Sequence, residues 1–149
     1  MGDLERLVAI EAIKQVKARY YRFLDTHEWD AFEGVFTEDA VLNVQVETRI
    51  LQSEEGIYRG RATIRAFAEK AIAGAITIDH ALLPEIEILS EDTATAIWAQ
   101  EDRVFWPDGG PNKQLHGHGY DYETYRRVDG KWLIASTKLV RLRTDMQRA

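Results

Sequence analysis

Two residues stand where chemistry is easiest to imagine: Asp25, which ends a long predicted helix, and His80, which opens a predicted strand. A carboxylate at a helix C-terminus faces the negative end of the helix dipole. An imidazole turned to the buried face of a strand loses water that a partner must replace. Brought together, each supplies what the other lacks. An Asp-backed His lining a cavity is a general base, so the pair predicts proton abstraction from a bound small molecule.

Strand parity decides whether His80 can take that role. In Glu85-Ile86-Glu87-Ile88 the apolar residues are even-numbered, which assigns Ile86 and Ile88 to the core face. Counting back by twos reaches Leu82, His80 and Ile78, so His80 points inward unless Pro84 marks a bulge that resets the phase. On the next strand the same count puts Ala94, Ala96, Trp98 and Gln100 on one face, with small residues that leave room for a ligand. Further on, His116, His118, Tyr120 and Tyr122 share a polar and aromatic face expected to line the pocket, while Gly117 and Gly119 on the other face permit bending. Alternate strand positions can chelate a metal. No carboxylate or further His is placed by the sequence to complete such a site, so no metal is expected. Trp29, Phe32 and Phe36 are expected in the core or the pocket wall, where their area suits a flat hydrophobic ligand.

These side chains need elements to position them. Asp3 to Asp25 reads as one helix, with Leu4, Leu7, Ile10, Ile13, Val16, Tyr20 and Leu24 at helical spacing and Asp3 as N-cap. Trp29 to Phe36 reads as a short second helix, Ala40 to Val46 as a strand, and residues 49–59 as a hairpin or loop ending at Gly60. A third helix, roughly Ala62 to Ala73, stops at Gly74. Four long strands follow: Ile76 to Leu89, Thr93 to Trp106, Gln114 to Val128 and Lys131 to Arg143, the last two joined by the hairpin signal Asp129-Gly130. Helices first and a strand meander afterwards predict one α+β domain over residues 1–149, with three N-terminal helices packed on a curved, mostly antiparallel sheet that encloses a pocket.

Composition excludes several function classes. With 149 residues and 45% hydrophobic content, the chain can bury a continuous core without staples. It has no cysteine, which rules out thiolate nucleophiles, thiolate metal sites and disulfides, and suits a reducing cytoplasm. Met1 to Arg6 lacks the basic-then-apolar layout of a secretory signal, and no apolar run approaches the ~18 residues of a membrane span. The expectation is a soluble, cytoplasmic protein. A net charge of −6 disfavours nucleic acid, since the basic residues near the C-terminus, Lys138, Arg141, Arg143 and Arg148, are few and interrupted.

The stretch Ala18-Arg19-Tyr20-Tyr21-Arg22-Phe23-Leu24-Asp25, with Trp29-Asp30-Ala31-Phe32 and Phe36-Thr37-Glu38-Asp39-Ala40 after it, resembles the SnoaL-like branch of the nuclear-transport-factor-two-like superfamily. So do Tyr58-Arg59-Gly60-Arg61, the strand carrying His80, and Tyr125-Arg126-Arg127-Val128-Asp129-Gly130-Lys131-Trp132. The resemblance implies a cone-shaped cystatin-like roll. Within that branch the layout is similar to scytalone dehydratase, bile acid dehydratase and hexachlorocyclohexane dehydrochlorinase, which abstract a proton with a His oriented by an Asp. Asp25 and His80 fall where that dyad belongs. The resemblance also implies Tyr20 as a hydroxyl donor and an Arg from the late strands, for which Arg141 is the nearest candidate. Helical geometry keeps Tyr21 open as the donor, because it lies four residues from Asp25 on the same side of the helix. The segment from residue 43 to residue 58 is longer than the family's compact hairpin. Ketosteroid isomerase, related by fold, uses a carboxylate base without a His partner, a plan this sequence fits less well.

The function expected on these grounds is a lyase or isomerase without cofactor, removing a proton alpha to a carbonyl in a small hydrophobic cyclic molecule. Its expected assembly is a homodimer or homotrimer. The alternatives are a ligand-binding domain without chemistry, or an assembly subunit like the small subunit of ring-hydroxylating dioxygenases.

Overall fold

A computed structural model describes residues 1–47 and 55–149. The first helix, α1 (Asp3–Asp25), buries Ala9, Ile13, Val16 and Tyr20 together with Lys17 and Tyr21. Its apolar stripe is therefore covered only from Ala9 onward, and Leu4 and Leu7 remain exposed. Gly2, extended at φ −78° and ψ 170°, occupies the N-cap expected of Asp3. Asp3 sits instead in the first turn, where its charge meets the positive end of the helix dipole.

The second helix, α2 (Trp29–Glu33), is shorter than expected. Gly34 ends it, and Phe36 already belongs to β1 (Phe36–Asn43). A single 3-10 turn, Gln45–Glu47, follows. Of the predicted loop at 49–59, residues 49–54 lie outside the described residues, whereas Ile57–Arg59 form a short strand, β2. Then come α3 (Arg61–Ala71), β3 (Ile76–Ile88), β4 (Thr93–Phe105), β5 (Asn112–Val128) and β6 (Lys131–Arg148).

One six-stranded sheet runs in the order β2-β1-β6-β5-β4-β3. The β1–β6 pair is parallel and the other pairs are antiparallel. Asp129 and Gly130 both hold positive φ, 50° and 79°, the backbone that a tight turn between twisted strands requires. The helices cover the concave face, where Ile13, Val16, Phe32, Phe36, Ile64, Trp98, Tyr125 and Ile134 form the core. The expected α+β cone, helices against a curved and unclosed sheet, is the fold of this chain.

Curvature comes from bulges where β5 meets β6, at His118/Gly119 and at Thr124/Tyr125. A Cβ on Gly119 would run into the Val140 carbonyl. Because that obstacle is backbone, Gly119→Ala should cost about 3 kcal/mol, at the upper end of overpacking penalties. Urea denaturation checks it, and an unchanged midpoint would show that the bulge yields without strain.

The strand β3 departs from the parity count. Its register against β4 shifts between Leu82 and Glu85, and Leu83 takes a φ of +46°. Ile88 is buried and Ile86 half-buried as expected. Before the bulge the phase is reversed, so Thr77, Asp79 and Ala81 turn inward while Ile76, Ile78, His80 and Leu82 are exposed. Pro84 was the marker of that reset, and it did reset the phase.

Candidate active site

The bulge changes which residue meets Asp25. The Asp25 Oδ1 accepts a hydrogen bond from the Thr77 hydroxyl at 2.8 Å, and its Oδ2 accepts the Asp79 backbone N–H at 3.0 Å. Strand donors thus satisfy the carboxylate that the helix end disfavours. Among the described residues no hydrogen bond joins Asp25 to His80, which faces away. The expected Asp25–His80 dyad is not formed. In its place the Asp79 carboxyl faces the Asp25 carboxyl.

Burial raises the Asp79 pKa well above the usual carboxylate range; the hydrogen bond to Asp25 and the charges of Asp25, Asp102 and Asp121 push it further in the same direction. Each of these influences favours its protonated form. Asp79 is half-buried, and its exposed part opens onto two hollows.

Asp79 borders a cavity of about 150 Å³. The walls are apolar, with Leu24, Phe32, Leu42, Phe67, Val104, Trp106 and Leu139 among them. Into this space converge Tyr20, Thr77, Asp79, Asp102 and Arg141. Arg141 forms a bidentate pair with Asp102 and also donates to the Gln100 Oε1 at 3.2 Å. Gly117 makes that pair possible, since a Cβ there would overlap the guanidinium. The expected late-strand Arg thus reaches the cavity.

Tyr20 packs its ring on Tyr21, Phe32 and Phe36, and among the described residues its hydroxyl makes no hydrogen bond. Burial raises its pKa well above the usual phenol value, and the nearby acids Asp121, Glu123, Asp79 and Asp102 add to the effect. The phenol keeps its proton and can donate it. Tyr21, the geometric alternative, is committed elsewhere because its hydroxyl donates to Asp121.

That contact belongs to a second buried polar group, between α1 and β5. Lys17 Nζ lies 2.8 Å from Asp121 Oδ2 and 2.7 Å from Glu123 Oε2. Thr137 and Tyr125 also donate to Glu123, and the Trp98 indole donates to the Tyr125 hydroxyl at 3.1 Å. Burial alone would lower the Lys17 pKa, yet the two carboxylates outweigh it and hold the ammonium above its ordinary value. This network anchors α1 to β5.

Several expected ligand contacts lie elsewhere. Phe36 is packed in the core and Trp29 stacks on His27 and against Phe32; neither lines the cavity. Trp98 and Tyr21 border a separate, wider cleft of about 640 Å³ between α1 and β3, with Asp25 and His80 on its rim. Asp79 borders both spaces. The smaller cavity is the better reaction chamber, because its walls are largely apolar and its polar groups converge.

His116, His118 and Tyr120 project from the outer face of the sheet, opposite the cavity. The inner face of β5 instead carries buried Leu115, Gly117, Gly119, Asp121, Glu123 and Tyr125. On the outer side Glu101, His116 and His118 do come together, with the His118 Nε2 2.7 Å from a Glu101 oxygen. Glu101 is the third polar residue that the sequence reading did not supply.

Asp79, Thr77 and Asp102 were not singled out from sequence. A signal existed for each of the acids. Asp79 adjoins His80 and needed only the bulge at Pro84, and Asp102 is the next step of the count that runs through Trp98 and Gln100.

An unclosed cone of helices over a curved sheet, with polar side chains converging in its interior, places the chain in the nuclear-transport-factor-two-like fold class. The profile of the SnoaL-like domain matches residues 5–138, and the chain belongs to that family. A probable cyclase of Gibberella zeae is 28% identical over 138 residues, 90% of this chain and 91% of the relative. Among solved structures, a scytalone-dehydratase-like protein of Novosphingobium aromaticivorans superposes with a TM-score of 0.82 at 19% identity, covering 97% of this chain and 91% of that one. A hexachlorocyclohexane dehydrochlorinase of Novosphingobium barchaimii gives 0.79 at 16% identity, over 98% and 94% of the two chains. At such identities the two structures establish shared fold.

Proposed function

We propose that this chain is an acid–base enzyme, a lyase or isomerase that needs no cofactor and acts on a small, single-ring substrate carrying a carbonyl. The observation that carries the reading is Asp79, a carboxyl group on a largely apolar cavity, held against Asp25 and with its pKa raised by burial. The names of the relatives, a cyclase, a dehydratase-like protein and a dehydrochlorinase, support it, since eliminations and ring closures rest on moving protons. The volume supports the size of the substrate, as a cavity of ~150 Å³ suffices for one six-membered ring.

In this scheme Tyr20 donates a hydrogen bond to the substrate carbonyl, where negative charge develops. In one concerted step the Asp79 hydroxyl protonates the beta hydroxyl while the other oxygen of the same carboxyl takes the proton from the alpha carbon. The alpha C–H and beta C–O bonds break, the double bond forms, water leaves and the acid is regenerated. Isomerisation uses the same carboxyl, whose hydroxyl protonates a different carbon as its other oxygen takes the alpha proton. Asp25 is a positioning residue here, holding Asp79 through its backbone N–H and its carboxyl. Arg141, clamped by Asp102, sets the potential of the wall.

The test is deuterium exchange. Single-ring ketones and beta-hydroxy ketones are incubated with the protein in D₂O, and alpha-proton signals are followed by NMR. The expected result is catalysed exchange that falls about a hundredfold in Tyr20→Phe, the usual loss for one such donor, while the variant melts as the wild type does. Exchange at the background rate across the panel, with saturable binding, would overturn the proposal and leave a ligand-binding domain.

A further inference from the structure

The outer face of the sheet holds a second cluster of side chains with chemistry of its own. In the β4–β5 pairing Glu101 lies opposite His118 and Arg103 opposite His116. The two histidines, two residues apart on β5, project to the same side. One carboxylate oxygen, Glu101 Oε2, lies 2.7 Å from His118 Nε2 and 3.4 Å from His116 Nε2. The three ligating atoms all lie within 4.8 Å of one another, and the side chains are half-buried. A separate observation concerns His116. Its Nε2 is shut off from solvent and has no hydrogen-bond partner among the described residues, although it is aimed at the oxygen that His118 uses.

We propose that Glu101, His116 and His118 bind one divalent transition-metal cation of the zinc type. Two imidazoles and a carboxylate form a borderline-soft donor set that suits Zn²⁺ far better than Mg²⁺ or Ca²⁺. Tetrahedral ligands ~2.05 Å from a zinc ion stand ~3.3 Å apart. The contacts of 2.7 Å and 3.4 Å bracket that spacing, so small side-chain rotations are enough. The orphaned His116 nitrogen then gains a partner, and each imidazole coordinates through Nε2. The fourth position falls to water or to Asp145, which lies opposite His116 on β6 and is held by Arg143.

The cationic neighbours limit affinity without forbidding it. Arg143, opposite His118, is offset by its own pair with Asp145, and Arg103 is exposed to solvent. The ion would sit on the other side of the sheet from the cavity. It would tie β4 to β5 directly behind Asp102 and Gly117, which alternate with the ligands and face inward.

Isothermal titration of the full chain with ZnCl₂, paired with the visible spectrum of the Co²⁺ form, tests the site. The expected result is saturable one-to-one binding, with the intense visible absorption of a low-coordinate cobalt centre. The chain has 4 histidines, which makes the controls complete. His116→Ala, His118→Ala and Glu101→Gln should each weaken Zn²⁺ binding by roughly tenfold or more with circular dichroism unchanged, since these side chains add little to the core. His27→Gln combined with His80→Gln should leave it intact. Absence of one-to-one binding, indifference to His116→Ala and His118→Ala, or loss of binding in the His27/His80 variant would each overturn the proposal.

Discussion

Lys17→Met should lower the unfolding free energy by about 3–5 kcal/mol, the usual cost of removing one partner from a buried ion group. Lys17 is 1% exposed and pairs with both Asp121 and Glu123. Methionine replaces its apolar stem well, so lost packing contributes little. What remains is a pair of carboxylates in the core with donors but no countercharge, namely Tyr21 on Asp121 and Thr137 and Tyr125 on Glu123. The triple change Lys17→Met, Asp121→Asn, Glu123→Gln should recover most of the loss, because neutral amides no longer require the ammonium. Chemical denaturation of the variants measures both quantities. A single variant as stable as the wild type would mean that the network contributes nothing to folding.

Asp79→Asn is expected to separate activity from stability. Proton transfer by a positioned group contributes typically 10²–10⁴ in rate, and kcat should fall by about that factor. Stability should move the other way. The folded-state pKa of Asp79 is raised by burial and by Asp25, so its contribution to stability is fully present below the unfolded value of ~3.9 and is lost as pH rises through the folded value. The asparagine amide can still donate to Asp25 and carries no such penalty. The variant should therefore melt higher than the wild type at neutral pH, with the two curves converging near pH 4 and below. Calorimetry across that range checks the sign. Equal activity in a folded variant would remove Asp79 from the chemistry.

Much of this molecule is legible in its sequence, and the misreadings share one cause. The α1 boundaries, the Asp129-Gly130 turn and the four long strands follow from helical spacing, alternation and turn residues, all of which are local. Inner and outer faces of strands are another matter. Reading them assumes that apolar means inward. Here the concave face of β5 holds Gly117, Gly119, Asp121 and Glu123, made tolerable by Lys17 from α1 and Arg141 from β6, while Tyr120 and Tyr122 lie exposed outside. Those compensating partners come from distant parts of the chain, and no local pattern reveals them. Glu101 was invisible as a ligand candidate for the same reason, since only cross-strand register puts it opposite His118. His80 failed differently. A single bulge inverts everything before it on β3, and the parity argument is only as good as its count across Pro84.

That bulge has an evolutionary consequence. Inserting one residue after Leu82 with the bulge unchanged would slide Ile76–Leu82 by one step and seat His80 where Asp79 now stands, against the same Asp25. A carboxyl-based ancestor and an imidazole-based descendant, or the reverse, would then differ by one inserted codon rather than by a redesigned scaffold. Diversification in such a lineage could proceed through indels in a strand as readily as through replacement of the reactive residues themselves.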